Sequence, residues 1–135
     1  MTLYLLDTNI AAHLMRGDRP ALAQRLTRIA ADNAIGFSVI SQAELYYGWE
    51  KRGRPEALGR LIGAFLARVE ILPWTEAAAQ AYGTLRADSE KAGVSLSAPD
   101  MLIAAQAKAI GAVLVSRDKA FLNLSAHLKI EDWTA

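Results

Sequence analysis

Four acidic residues, Asp7, Glu44, Asp100 and Asp118, sit where short apolar runs give way to helical pattern, and acids so placed can converge on one site. Asp7 directly follows the run Leu3 to Leu6. Glu44 comes shortly after Ile35 to Val39 and is expected in the first turn of the following helix. Asp118 lies two residues beyond Ala112 to Ser116, and Asp100 opens a helix whose inward stripe should be Asp100, Ile103, Ala107 and Ile110. Two carboxylates ~6 Å apart at an effective dielectric of ~20 repel by roughly 3 kcal/mol, and three such pairs by roughly 8 kcal/mol. Helix dipoles return only about 0.3 to 1 kcal/mol each. Convergence therefore calls for protons or a cation. An all-oxygen donor set with no cysteine favours a hard ion such as Mg2+ or Mn2+ over zinc. An ion of that kind, in that company, suits hydrolysis of a phosphodiester by an activated water.

A plainer reading stands beside this one, in which the acids serve helix ends. Ser41-Gln42-Ala43-Glu44 and Ser97-Ala98-Pro99-Asp100 both match a capping box, and Asp118 can cap a short helix of its own. Capping accounts for each acid singly but not for their meeting. His13 and His127 are isolated in the sequence and are not read as ligands. Tyr46, Tyr47 and Trp49 are read as packing or subunit contacts. Arg117, Lys119, Arg86 and the group Lys51, Arg52 and Arg54 suit either phosphate contacts or a solvated surface.

The elements that must position these residues follow from periodicity. Strand-like runs at Leu3–Leu6, Ile35–Val39, Val69–Leu72, Ala112–Ser116 and Leu128–Glu131 alternate with helical segments, which is the pattern of an α/β fold with a central parallel sheet of about five strands and helices on both faces. Leu22, Leu26, Ile29 and Ala30 mark one helix face; Leu58, Leu61, Ile62, Phe65 and Val69 a second; Ala78, Ala81, Tyr82 and Leu85 a third. Gly53, Gly93 and Gly111 punctuate helix ends. Ligands of open parallel sheets bind beyond the carboxyl ends of the strands, the edge to which Asp7, Glu44 and Asp118 map.

The chain has 135 residues, enough for one self-sufficient domain, taken as 1–135, and no cysteine, which removes disulfides, thiolate metal sites and a Cys nucleophile. Net charge is +1 with both signs interspersed, so bulk electrostatics neither requires nor excludes nucleic acid. The apolar start lacks the basic residues of a signal peptide and is too short to cross a bilayer. A cytoplasmic protein without a membrane partner is expected.

Five segments together carry a family resemblance: Leu5-Leu6-Asp7-Thr8-Asn9; Ile40 to Gly48, around Glu44; Ala98 to Ala107, around Asp100; Leu114 to Phe121, around Asp118; and Leu128 to Trp133. In this order the chain resembles the PIN-domain ribonucleases, in particular the VapC toxins of toxin-antitoxin pairs, over nearly its whole length. The resemblance implies Asp7, Glu44 and Asp100 as central metal-binding acids with Asp118 as a fourth. It places Thr8, Asn9 and Ser116 behind them, orienting the carboxylates, Ser116 standing where Thr is common. For Thr8 and Asn9 the simpler alternative is that they only start a helix. It further implies Mg2+- or Mn2+-dependent hydrolysis of RNA, a VapB-like antitoxin as partner, and a homodimer. Two other classes remain open on the residues alone, a non-catalytic interaction module and an acid-pocket phosphotransfer domain.

Overall fold

The computed structural model describes residues 1–134. Five parallel strands, β1 (Leu3–Leu6), β2 (Ala34–Ser38), β3 (Glu70–Leu72), β4 (Val113–Val115) and β5 (Ile130–Glu131), form one sheet in the order β3-β2-β1-β4-β5. The helices are α1 (Thr8–Arg16), α2 (Pro20–Ala30), α3 (Val39–Lys51), α4 (Glu56–Leu66), α5 (Glu76–Lys91), α6 (Ala98–Ile110) and α7 (Lys119–Leu122). The α/β expectation with five parallel strands holds.

Strand alternation divides the core between the two faces of the sheet. Leu6, Phe37 and Val115 point to one side, where they meet Ile10 and Ala11 of α1, Leu22 and Leu26 of α2, Leu45 of α3, and Ile62 and Phe65 of α4. Leu5 and Leu114 point to the other, against Leu85 of α5 and Met101, Ile103, Ala104 and Ala107 of α6. With both faces covered, β1 and β4 read as continuous apolar runs. Gly36 in β2 has a packing reason: a Cβ there would lie 2.6 Å from Leu72 Cδ1. A larger residue would force the Leu72 side chain to move.

Several boundaries differ from the sequence reading. Val39 is not the end of β2 but the first residue of α3, because the Ser38 hydroxyl accepts from the Ile40 N–H at 3.0 Å and turns strand directly into helix. The last strand begins at Ile130 rather than Leu128, whose side chain is buried just before it. Ile110, assigned to the inward stripe of α6, is 39% exposed, since the chain reverses immediately after it at Gly111, φ 66°. Leu61 is likewise exposed, leaving Ile62 and Phe65 to anchor α4.

Two side chains fasten α6 to the opposite edge of the fold. The Gln106 amide donates to the carbonyls of Leu72 (3.1 Å) and Pro73 (2.9 Å), and Trp74 Nε1 donates to the Leu102 carbonyl at 2.9 Å. Carbonyls at the end of β3 thus find donors, and the helix that carries Asp100 is fixed in place.

Candidate active site

Asp7 ends β1 and does two structural jobs at once. Its N–H donates to the Val115 carbonyl (3.0 Å), and its Oδ1 accepts from the Ile10 N–H (2.7 Å), capping α1. The side chain is buried, with the residue only 3% exposed. Burial pushes the Asp7 carboxyl up to about 6; hydrogen bonds from Ser116 and Ile10 oppose the shift, and the charges of Asp100 and Asp118 add to it.

Asp100 and Asp118 share that field. Asp100 stands half-buried in the first turn of α6, where Ser97 Oγ accepts its N–H at 3.3 Å. Its carboxyl is also raised, by burial first, with Ser97 opposing and Asp118 adding. Asp118 caps α7, its Oδ1 accepting from the Ala120 N–H at 2.9 Å, so the capping alternative is met for this residue. Its own N–H donates to Ser116 Oγ at 3.0 Å. Fully buried Ser116 therefore serves two acids, accepting from the Asp118 N–H while its hydroxyl favours the charged form of Asp7.

Glu44 is held differently, and not as its sequence context suggested. Because α3 starts at Val39, Glu44 lies in the second turn, and the capping box from Ser41 does not form. Ser41 is buried inside the helix, one turn before Glu44 on the same face. Thr8 Oγ1 lies 2.7 Å from Glu44 Oε1 and 2.9 Å from Ser41 Oγ. A carboxylate accepts only, so Thr8 donates to Glu44 and receives the Ser41 proton. This hydroxyl relay makes Ser41 a site-supporting residue that the sequence reading took for a cap. The signal was present in the i, i+3 spacing of Ser41 and Glu44.

Asn9 does not join the group. It is exposed on α1, about two helical steps of rotation from Asp7, and serves as a helix residue. His13 is not as isolated as its sequence suggested, since Nδ1 lies 3.0 Å from Asp18 Oδ1. That pair sits at the far end of α1 with Arg16 and is an exposed helix-end arrangement. Trp49 packs against Gly59 and donates to the Pro55 carbonyl, whereas Tyr46 and Tyr47 are exposed and make no core contact.

The charges of Asp100 and Asp118 thus act on Asp7 and that of Asp118 on Asp100, while Glu44 is tied to Thr8, the residue after Asp7. Among the described residues no three acidic or imidazole side chains close into a tight cation cage. Mutual repulsion favours such an open spacing. The donors nevertheless fit a hard cation: they are all oxygens, the charges of Asp100 and Asp118 act on a buried carboxyl, and Glu44 is oriented by the Thr8 hydroxyl.

A family model of the PIN domain matches residues 4–126. The chain belongs to the PIN-domain family. Within it the VapC ribonucleases are its near relatives. Ribonuclease VapC2 of Rickettsia felis is 32% identical over 131 residues, 97% of this chain and 98% of the relative. The tRNA(fMet)-specific endonuclease VapC of Shigella flexneri is 28% identical, covering 99% of this chain and all of the relative. Among solved structures, VapBC2 from Rickettsia felis bound to a DNA fragment from their promoter superposes with a TM-score of 0.90 at 32% identity, covering 96% of this chain and 98% of the other. The order of strands and the two-sided helical cover are therefore those of a VapC-type PIN domain.

Proposed function

We propose that this PIN domain is the toxin of a toxin-antitoxin pair and acts as an endoribonuclease that hydrolyses RNA phosphodiester bonds with a divalent cation, Mg2+ or Mn2+, held by Asp7, Glu44, Asp100 and Asp118. The observation that carries the reading is Asp7: a buried carboxyl raised to about 6 by burial, with Asp100 and Asp118 adding to it, gains most from a cation. When bound, that cation polarises the phosphodiester and eases deprotonation of the attacking water.

The chain's own residues supply the frame. Asp7 is fixed by the Ile10 N–H at its carboxylate and by its own N–H on the Val115 carbonyl, so the carboxylate points at a constant place relative to β1 and β4. The Thr8–Ser41 relay orients Glu44, and Ser97 supports Asp100 from the helix cap. Rigid elements rather than long loops carry all four acids, which is what an in-line displacement requires of its positioning groups.

The partner of the toxin is a VapB-like antitoxin, and a basic side chain presented by it among the acids is electrostatically suited to compete with the cation. A second copy of the chain is the other expected partner, with exposed Tyr46 and Tyr47 on α3 as its candidate apolar surface. No helix among the described residues is long and apolar enough to cross a membrane.

The deciding experiment is cleavage of unfractionated tRNA by the purified, antitoxin-free chain with Mg2+ or Mn2+, in the presence and absence of EDTA, beside Asp7→Asn and Glu44→Gln. Cleavage lost in EDTA and in both variants, with circular dichroism unchanged, is expected. Cleavage that persists in the variants would remove these acids from the reaction.

A further inference from the structure

An open cavity of about 400 Å³ lies between the C-terminal half of α5, the turn 92–97 and the first turn of α6, within the roughly 300 to 1,000 Å³ typical of ligand clefts. Its wall on α6 belongs to the same first turn as Asp100, although none of the four acids lines it. Ala98 and Met101, which flank Asp100 on α6, form one of its walls. Val94, Leu96 and Met101 are packed into the core beneath it and give it an apolar floor. Its rim is polar, with Tyr82, Arg86, Glu90 and Ser95. We propose that this cavity receives the nucleotide next to the cleaved bond of the RNA substrate, with Arg86 as its phosphate and base contact; the inference rests on the ribonuclease reading.

Charge makes the first argument. The acids and their cation account for the phosphate being cut, and a phosphate beside it needs a cation of its own: Arg117 and Lys119 flank Asp118, and Arg86 stands on the side of α6 where the cavity opens. The chain has a net charge of only +1 and no basic run to provide a diffuse attraction, so a single well-placed cation matters. Arg86 is the cation that lines the cavity.

Preorganisation makes the second. Arg86 Nη1 donates to Tyr82 Oη at 2.9 Å and Nε to Glu90 Oε1 at 3.1 Å, while the guanidinium lies 5.9 Å from the Tyr82 ring centroid. Tyr82 is itself braced edge-on by Trp74 at 6.4 Å. Nη2 is thus left to donate outward among the described residues, and the guanidinium plane offers a stacking surface to a base. The facing turn is equally fixed. Gly93 takes φ 72°, and the Val94 N–H donates to the Ser89 carbonyl at 2.8 Å. A cleft with an apolar floor, a planar cation and a tyrosine hydroxyl matches a nucleotide, which presents a flat base at one end and an anion at the other.

The test uses full-length Asp7→Asn protein, which retains RNA without cutting it, titrated with a fluorescent single-stranded RNA of mixed sequence across a range of salt concentrations. Adding Arg86→Ala is expected to weaken binding roughly 10-fold and to flatten the dependence of log affinity on log salt by about 0.7, the loss of one phosphate contact on a single strand. Arg86→Lys should restore the slope but not the full affinity, since lysine keeps the charge without the stacking plane. Unchanged affinity and slope in Arg86→Ala would overturn the assignment while leaving the ribonuclease reading standing. The same result with weakened capture of the cognate antitoxin would give the cavity to the protein partner instead. Failure of the wild-type chain to cut any RNA, together with no RNA binding by Asp7→Asn, would remove the ribonuclease reading and this inference with it.

Discussion

Asp7 and Glu44, both assigned to the proposed site, are held by opposite means. Asp7 is buried at the centre of the sheet, with its charge disfavoured by its surroundings and only two hydrogen bonds in its favour. Glu44 is half-exposed on a helix flank and is steadied by a hydroxyl relay that reaches across from α1. The first arrangement stores an electrostatic demand that a cation satisfies; the second stores only orientation. A site built this way separates affinity, centred on Asp7, from geometry, centred on Thr8 and Ser41.

The largest effect that tests this contrast is on the reaction itself. Asp7→Asn should lower single-turnover RNA cleavage on the order of a thousandfold or more. The amide oxygen can still accept from Ile10, so the α1 cap should survive and the fold with it. A variant that keeps most of its activity would show that the buried acid is a helix cap and nothing else.

The next effect is on stability and has a definite sign. A carboxyl raised from 3.8 to about 6 on folding means that the folded state binds more protons than the unfolded state between those values. The contribution of Asp7 is therefore fully present below about pH 3.8 and lost as pH rises through about 6. The shift corresponds to about 3 kcal/mol. In EDTA, Asp7→Asn should melt higher than wild type at pH 7 and lose that advantage near pH 4, whereas excess Mg2+ or Mn2+ should raise the Tm of wild type alone. A Tm difference between the two proteins that does not vary with pH would contradict the raised carboxyl.

Smaller again is the orientation effect. Thr8→Val removes the donor to Glu44 with little change of shape, and it should reduce cation affinity about 10- to 100-fold, measured by activity against Mn2+ concentration. Loss as complete as that of Asp7→Asn would mean that the two acids are not held independently. Asn9→Ala, by contrast, should stay within about 0.5 kcal/mol of wild-type stability and leave cleavage unchanged, because its exposed side chain makes no hydrogen bond to the acids among the described residues.

Much of this was legible in the residues. The sheet followed from apolar runs that packing on two faces makes continuous, and three of the acids followed from their place just past those runs. What misled was local chemistry with more than one solution. Both Ser38 and Ser41 are competent caps, and in the fold it is Ser38, at the end of β2, whose hydroxyl accepts from Ile40 and starts the helix. That shift of three residues moves Ser41 from the helix end into the relay beneath Glu44. Asn9 came in with the family resemblance, and its exposed side chain makes no hydrogen bond to the acids among the described residues. The cavity beside Arg86 had no sequence signal beyond a lone arginine, because it is made by a turn and two helices that meet only in space.

The strand order carries a consequence for the timing of synthesis. The first strand made, β1, ends in the middle of the sheet, and one of its two neighbours, β4, is contributed by residues more than a hundred positions later. Until Val113–Val115 has left the ribosome, Asp7 has no Val115 carbonyl to anchor it, no Ser116 beside it and neither Asp100 nor Asp118 across from it. Pairings of such long sequence separation form late and slowly. The nascent chain is therefore chemically inert for most of its translation, and its destructive potential arises in a single closing step near the end, when a partner already present has the greatest opportunity to meet it.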